Sequence, residues 1–173
     1  MKKLVIAASL IAASMSAAAA FADDGKINFI GSITDDACTV VNDMSNPLSV
    51  TLGTVSSKAF KAAGDTAAPT KFTIKLTGCP ATMTSAKVKF DGTADSNVGS
   101  ILALTQVAGV ATNVGIQLAD KQGAVVPLYT PSSAYTLVAG ANDLDFVARY
   151  YATAAAVTAG PANSTSNFTI VYN

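Results

Sequence analysis

Residues 144–173 read LDFVARYYATAAAVTAGPANSTSNFTIVYN, and the alternation within this closing stretch predicts a β fold. Apolar or aromatic side chains recur at every second position near both of its ends, at Leu144, Phe146, Ala148 and Tyr150 and again at Phe168, Ile170 and Tyr172. A period of two places such side chains on one face of a β-strand. The alanine-rich run 152–159 is interrupted by threonine and valine and lies between these two patterns. We therefore expect it to form a loop at a strand edge and not a helix.

The same alternation continues through the rest of the chain. It involves Ile27, Phe29, Gly31 and Ile33; Leu48, Val50 and Leu52; Phe72, Ile74 and Leu76; Val88 and Phe90; Leu102 and Leu104; and Val114, Ile116 and Leu118. Turn-forming stretches such as 91–92, 120–123, 140–142 and 160–163 separate these segments. Short strands with frequent turns and one polar face predict a single all-β domain, an antiparallel sandwich.

The composition excludes several classes of function. The chain has 173 residues with 11 basic and 11 acidic side chains and no histidine, and every acidic residue is an aspartate. Catalytic triads and histidine-ligated metals are therefore excluded, and a formal charge of zero offers no basic surface for nucleic acid. The close acidic pairs, Asp35 with Asp36 and Asp143 with Asp145, have the pattern of solvated strand residues. We expect no enzyme activity, no cofactor and no metal site.

The first 22 residues have the pattern of a secretory signal peptide. A short basic start, Lys2 and Lys3, precedes an apolar stretch over 4–15 and a small-x-small site at 20–22. The apolar stretch is shorter than the roughly 20 residues that a spanning helix needs. Cleavage after Ala22 would leave a mature chain of residues 23–173, in which no segment is apolar enough to span a membrane.

The predicted export indicates which state the two cysteines, Cys38 and Cys79, adopt. An oxidising compartment favours a disulfide between them. The alternatives are weaker, because the pair lacks the C-x-x-C spacing of redox sites and the chain lacks further soft metal ligands. A bridge of this span would contribute roughly 4 kcal/mol to stability in the chain-entropy model.

Both ends of the mature chain are apolar strands with little charge. Native sheets usually protect their edges with charge, proline or a covering element, yet residues 168–173 carry no charged side chain. Two interpretations remain open from the pattern alone. Either the terminal strands pair within the chain, or one of them pairs with another chain by β-augmentation.

Five stretches of the sequence together resemble one protein family. They are GKINFIGSITDDAC (25–38), KFTIKLTGC (71–79), AKVKFDGTA (86–94), NVGIQLADKQG (113–123) and the closing stretch quoted above. The closing stretch is the most specific, because its penultimate residue is the aromatic Tyr172 and its fourteenth residue from the end is Gly160. In this combination the chain resembles the chaperone-usher pilins, and among these the major subunits of type 1 fimbriae.

The resemblance implies a fold and a mode of assembly. The fold would be an immunoglobulin-like sandwich that lacks its last strand, and a strand from another chain would complete it. A periplasmic chaperone would supply that strand first and deliver the subunit to an outer-membrane usher. The next subunit would then replace the chaperone strand with its own N-terminal segment. The product would be a linear homopolymer, a fimbria on the cell surface that supports adhesion.

The resemblance also assigns residues to these roles. The donor segment would be residues 23–30, with Gly25, Ile27 and Phe29 facing the neighbour's groove. The edge of the acceptor groove and the chaperone contact would be formed by Gly160, Phe168, Ile170, Tyr172 and Asn173. The alternative within the same assembly is a minor or tip-associated pilin that binds a host glycan. Such tip proteins usually carry an additional N-terminal domain, for which the mature chain has no room.

Overall fold

The computed structural model describes residues 25–31, 33 and 37–172. The chain divides into two units, Met1–Ile33 and Thr34–Asn173. The predicted signal peptide, Asp23, Asp24 and Asn173 lie outside the described residues. In the described part, no helix is of the length and apolarity that crossing a membrane requires.

In its described residues, the second unit contains seven β-strands. They are β1 (Thr39–Val40), β2 (Thr66–Cys79), β3 (Ser85–Gly92), β4 (Val114–Asp120), β5 (Tyr135–Thr136), β6 (Gly140–Ala152) and β7 (Ser166–Tyr172). A 3-10 turn spans Ser57–Ala59; Ser56 caps its start, and the Ser56 side chain accepts a hydrogen bond from the Lys58 backbone N–H. The alanine-rich run 153–159 contains no helix, as its flanking strands predicted.

The strands form two antiparallel sheets. One has the order β1-β2-β6-β4 and the other the order β5-β3-β7. All pairings are antiparallel; the longest runs between β2 and β6, from Thr66 opposite Tyr151 to Cys79 opposite Gly140. The predicted all-β antiparallel sandwich is therefore confirmed.

The core between the sheets is centred on Phe146, which is fully buried. Its ring lies 5.7 Å from that of Phe72, 5.0 Å from that of Phe90 and 5.3 Å from that of Tyr135, measured between centroids. These four rings come from strands of both sheets. Aromatic packing of this kind adds to the free energy of apolar burial and fixes how the two sheets face each other.

Three of the expected strands are absent among the residues that the structure describes. Residues 48–52 have no regular secondary structure and belong to no sheet, and residues 102–104 make only isolated bridges from Leu102 to Ala94 and Ile116. Leu102 and Leu104 are buried and Val50 and Leu52 pack half-buried on the core, whereas Leu48 is 40% exposed. Alternating apolar residues indicate that one face of a segment is buried. A β-strand also requires a neighbouring strand with which its backbone can pair. The third expected strand, which carries Ile27, Phe29 and Ile33 and overlaps the predicted donor segment 23–30, is also missing: residues 25–31 and 33 belong to no sheet among the described residues.

The predicted disulfide is present between Cys38 and Cys79, 41 positions apart. Both cysteines are buried in the core. Replacing both with serine is expected to lower the free energy of unfolding by about 4 kcal/mol, because the unfolded chain loses its cross-link. Urea denaturation of a strand-completed monomer would measure the loss. A midpoint unchanged by the double substitution would contradict this role.

Candidate strand-acceptor groove

The last strand, β7, is paired along one edge only. It lies at the end of the three-stranded sheet, and β3 is its sole strand partner among the described residues. Alternate N–H and C=O groups of an edge strand point away from its neighbour, so the outer edge of β7 presents them unpaired. Such an edge is a template for a further strand.

The core-facing side chains of β7 are less buried than those of its neighbour. On β3, Ala86, Val88 and Phe90 are all buried. Their partners across the ladder, Tyr172, Ile170 and Phe168, are each only half-buried although they pack against the same core. The three largest apolar side chains of β7 are therefore covered on the β3 side and left partly uncovered on the other.

A second unpaired segment, residues 47–55, also borders this core. Its side chains Val50, Leu52 and Val55 pack half-buried on the core, and no backbone hydrogen bond joins 47–55 to any other residue that the structure describes. This backbone is therefore open to pairing with a further strand. Two apolar rows, on β7 and on 47–55, thus flank the same core, and each has unpaired backbone. We call the space between them the acceptor groove.

A cavity of about 320 Å³ opens at the end of the groove nearest the start of β7. One flank lines it through Gly53, Thr54 and Val55, and residues 157–163, which precede β7, line the other side. Phe60, Val114 and Tyr150 are among its other lining residues, and burial raises the pKa of the Tyr150 hydroxyl. Apolar side chains and polar groups both contribute to its lining.

Gly160 lies beside this cavity at a close approach of two backbones. A Cβ atom at this position would lie 2.1 Å from the Gly109 carbonyl oxygen and 2.6 Å from the Ala111 nitrogen. Next to it, the Ala111 N–H donates to the Pro161 carbonyl at 3.0 Å, which holds the two segments together. Only glycine fits without moving the backbone. The residue singled out by the resemblance therefore has a physical reason to be glycine.

Substituting Gly160 with valine is expected to destabilise the unit by about 1–3 kcal/mol, since the backbone at 109–111 must move to accept the side chain. Gly99→Val is the matched control, because a Cβ at Gly99 meets nothing within 4 Å. Denaturant midpoints of the two variants provide the measurement. Equal midpoints would refute the close-contact explanation.

The opposite end of the groove meets the disulfide. The Tyr172 hydroxyl lies 3.5 Å from the carbonyl oxygen of Cys38. Burial raises the pKa of this phenol, so the neutral form is the one present at physiological pH. The C-terminal end of β7 and the first residues of the sandwich are therefore at the same end of the unit, which we call the Cys38 end. The predicted role of Asn173 falls outside the described residues.

In the first unit, the predicted donor residues are strongly exposed. Ile27 is 78% exposed and Phe29 is 92% exposed, and a Cβ atom at Gly25 or Gly31 would meet nothing within 4 Å. Together with Ile33, they form one row of alternate positions. Exposing large apolar side chains in water is unfavourable by about 1.5–3 kcal/mol each relative to burial. This segment therefore has an apolar face without a core.

The acidic side chains serve the local structure. Asp120 is buried, and its carboxylate accepts hydrogen bonds from the N–H groups of Gln122 and Ala124 and from the Ser133 hydroxyl. Asp145 is exposed and accepts a hydrogen bond from Thr73 at 2.7 Å. Asp120 thus closes the turn after β4, and Asp145 lies on the solvated face of β6, as its pattern indicated.

Sequence reasoning identified β7 but missed the other flank of the groove. Residues 48–52 carried a strand signal, which did not reveal that the strand has no partner. The cavity was also missed, because its lining comes from several separate segments. Two features of the sequence could have indicated the groove. They are the alternating apolar residues at 48–52 and the additional apolar segment at the N-terminus.

Comparisons with known proteins agree with this geometry. The family model described as "Fimbrial protein" matches residues 27–173. Long polar fimbria protein A of Salmonella typhimurium is 40% identical over 99% of this chain and 97% of its own length. The type-1 fimbrial protein C chain of Escherichia coli is 40% identical, over 96% of this chain and 93% of its own.

Solved structures show the same similarity. An antigen and type I fimbria protein of Burkholderia pseudomallei is 40% identical, with a TM-score of 0.61 over 86% of this chain and 97% of its own. The P pilus rod subunit has a TM-score of 0.64 over 79% of this chain and 99% of its own; at 24% identity it supports the fold alone. The resemblance drawn from the sequence is thereby confirmed, and the chain belongs to the fimbrial protein family, whose members are structural and not enzymatic.

Proposed function

We propose that this chain polymerises into a surface fimbria by inserting its N-terminal segment into the acceptor groove of another copy. The observation that carries the proposal is that the groove and the N-terminal segment are each incomplete and complement each other. The groove lacks a strand, since both of its flanks have unpaired backbone, and the segment with residues 25–31 and 33 has an apolar row of alternate side chains without a core. Each supplies what the other lacks: backbone hydrogen bonds along the edge of β7, and apolar side chains over the exposed core.

The donated strand runs antiparallel to β7. Because Tyr172 lies beside Cys38, a parallel strand would leave the groove at the acceptor's Cys38 end, where the acceptor's own donor segment begins. Two subunit bodies and two donor segments would then crowd at one place. An antiparallel strand leaves the groove at the opposite end and gives an open head-to-tail chain. It also agrees with the pairing of every strand in both sheets.

This direction gives each donor residue an approximate place. Gly25 and Ile27 lie toward Tyr172, Phe29 lies over the middle of the groove, and Gly31 and Ile33 lie toward the cavity beside Gly160. Burial of three large apolar side chains at about 1.5–3 kcal/mol each is comparable to the net stability of a whole domain. Subunits joined in this way separate very slowly.

Because its sandwich lacks a strand, the subunit needs a partner before it polymerises. An isolated subunit exposes apolar core and an open strand edge, which favours aggregation. We propose that the chain is exported with cleavage after Ala22 and that a periplasmic chaperone lends a strand to the groove. The chaperone binds the C-terminal carboxylate of Asn173, and an outer-membrane usher then receives the complex. The assembled fimbria supports adhesion at the cell surface.

Periplasmic expression tests the proposal. With a cognate chaperone and usher, cells should carry fibres visible by electron microscopy, and unheated detergent gels should show a ladder of multimers that collapses on heating. Without the chaperone, the subunit should be degraded or aggregated. A soluble, stable monomer obtained without any partner, and without a ladder, would overturn the incomplete-fold mechanism.

A further inference from the structure

A short turn at the Cys38 end presents an exposed valine. Val138, which follows β5, is 62% exposed. Its backbone is held rigid because the Asn142 side-chain amide accepts from the Val138 N–H at 2.9 Å and donates to its carbonyl at 2.8 Å. Gly140 completes the turn with a φ of +94°. An apolar side chain is thus fixed at the surface with no covering group.

This turn is close to the residue from which the donor segment departs. Gly140 pairs with Cys79, and the Cα atoms of Cys79 and Cys38 are 4.2 Å apart. Cys38 follows Ile33 by only five residue steps. Five extended steps reach at most about 18 Å. When Ile33 is held in a neighbour's groove, the Cys38 end of its own subunit must therefore lie against that neighbour.

The opposite end of the sandwich carries a second such turn. There the Val110 N–H donates to the Val107 carbonyl at 3.1 Å, with Gly109 at a φ of +74°. Val107 is 49% exposed. The turn is anchored beside the cavity, since the Thr105 N–H donates to the Asn163 carbonyl at 2.7 Å. An antiparallel donor leaves the acceptor groove at this end.

We infer that the 137–141 turn of one subunit packs on the 105–110 turn of the subunit that accepts its donor segment. This contact rests on the proposed function, because the donor segment brings the two ends together. Neither turn contains a charged residue, so no charge is desolvated and no like charges meet. Val138 and Val107 cover each other's exposed apolar surface. The contact limits bending at the short linker between two subunits. The fibre is therefore stiffer than a chain of subunits joined by flexible linkers alone.

Site-specific photo-cross-linking in assembled fibres tests the contact. A benzoyl-phenylalanine at position 138 should form a covalent bond to residues 105–110 of another copy, identified by mass spectrometry of the digested fibre. The reverse placement, at position 107, should reach residues 137–141. Such a cross-link must join two copies, because the 12 residue steps of β6 from Gly140 to Ala152 separate the two ends by about 40 Å. Val125, an exposed valine beside β4, is the control position and should not link to 105–110.

The detergent ladder separates failure of this contact from failure of the proposed function. A ladder with cross-links at both positions supports the contact. A ladder in which positions 138 and 107 give no cross-links, or link to other parts of the neighbour, overturns the contact and leaves strand insertion intact. Absence of a ladder from the unmodified chain with its chaperone and usher overturns the proposed function and the contact with it.

Discussion

Replacing Phe29 with aspartate is expected to abolish fibres while leaving the subunit body folded. Phe29 is 92% exposed in the free chain and, in the proposed complex, inserts over the middle of the acceptor groove. The substitution removes about 1.5–3 kcal/mol of apolar burial and forces a carboxylate to lose its water without a partner, which costs several kcal/mol more. The multimer ladder and electron micrographs should both become negative, while the Cys38–Cys79 disulfide still forms.

Ile30→Asp is the matched control. Ile30 is adjacent to Phe29, is 97% exposed and has a similar apolar character, but in a strand it points to the opposite face. After insertion it faces solvent on the outside of the sheet, so the aspartate should be tolerated and the ladder retained. If both variants polymerise, or neither does, the alternation of inward and outward residues along the donor segment is not what governs assembly.

The glycines of the inward row provide a finer test of the same mechanism. Gly25→Leu and Gly31→Leu each add a side chain where the donor must approach the groove closely. Gly25 lies toward Tyr172 and Gly31 toward the cavity beside Gly160, so Gly25→Leu, at the shallower part of the groove, should lose the ladder, and Gly31→Leu should retain part of it. Retention of a full ladder by both variants would show that neither position needs a glycine.

Periodicity predicted which residues face the core and could not predict which strands find partners. The alternation at Leu48, Val50 and Leu52 indicated a strand, and the inward residues do pack on the core. Yet no backbone hydrogen bond joins 47–55 to another described residue, and in our proposal the strand that would pair there belongs to another chain. A sequence read as a single chain predicts a pairing that only an assembly completes. In our proposal, the place of this missing strand is the functional site.

Tertiary contacts also override the alternation in β4. Val114, Ile116 and Leu118 were expected to face the core, and the residues between them were expected to face solvent. All seven residues of β4 are buried. Leu102 bridges to Ile116 and Val125 bridges to Ala119 along the outer edge of β4. A Cβ at Gly115 would lie 2.6 Å from the Leu102 carbonyl oxygen. These covering loops are distant in the sequence, so local patterns do not reveal them.

A chain carrying its own donor strand after the C-terminus should be a stable monomer that needs no chaperone. In this variant, residues 25–33 are deleted from the N-terminus and joined after Asn173 through a turn of about four residues. So short a turn suffices only if the donated strand runs antiparallel to β7, because its first residue then lies next to Tyr172. A parallel strand would have to begin at the far end of the groove, beyond the reach of the turn. The fusion thus tests both the groove and the direction.

The gain in stability should be large. Burying Ile27, Phe29 and Ile33 contributes about 5–9 kcal/mol as an upper bound, with the hydrogen bonds along β7 in addition. At about 2–4 °C per kcal/mol for a domain of this size, the melting temperature should rise by tens of degrees over the free subunit. The same fusion carrying Phe29→Asp is the control and should lose much of this gain.

A fusion that polymerises as readily as the natural chain, or melts no higher than the free subunit, would mean that the space beside β7 does not accept this strand. Because a filled groove leaves no place for a neighbour's segment, the stable monomer should also fail to form a ladder, which ties the stability of one subunit to the polymerisation of many.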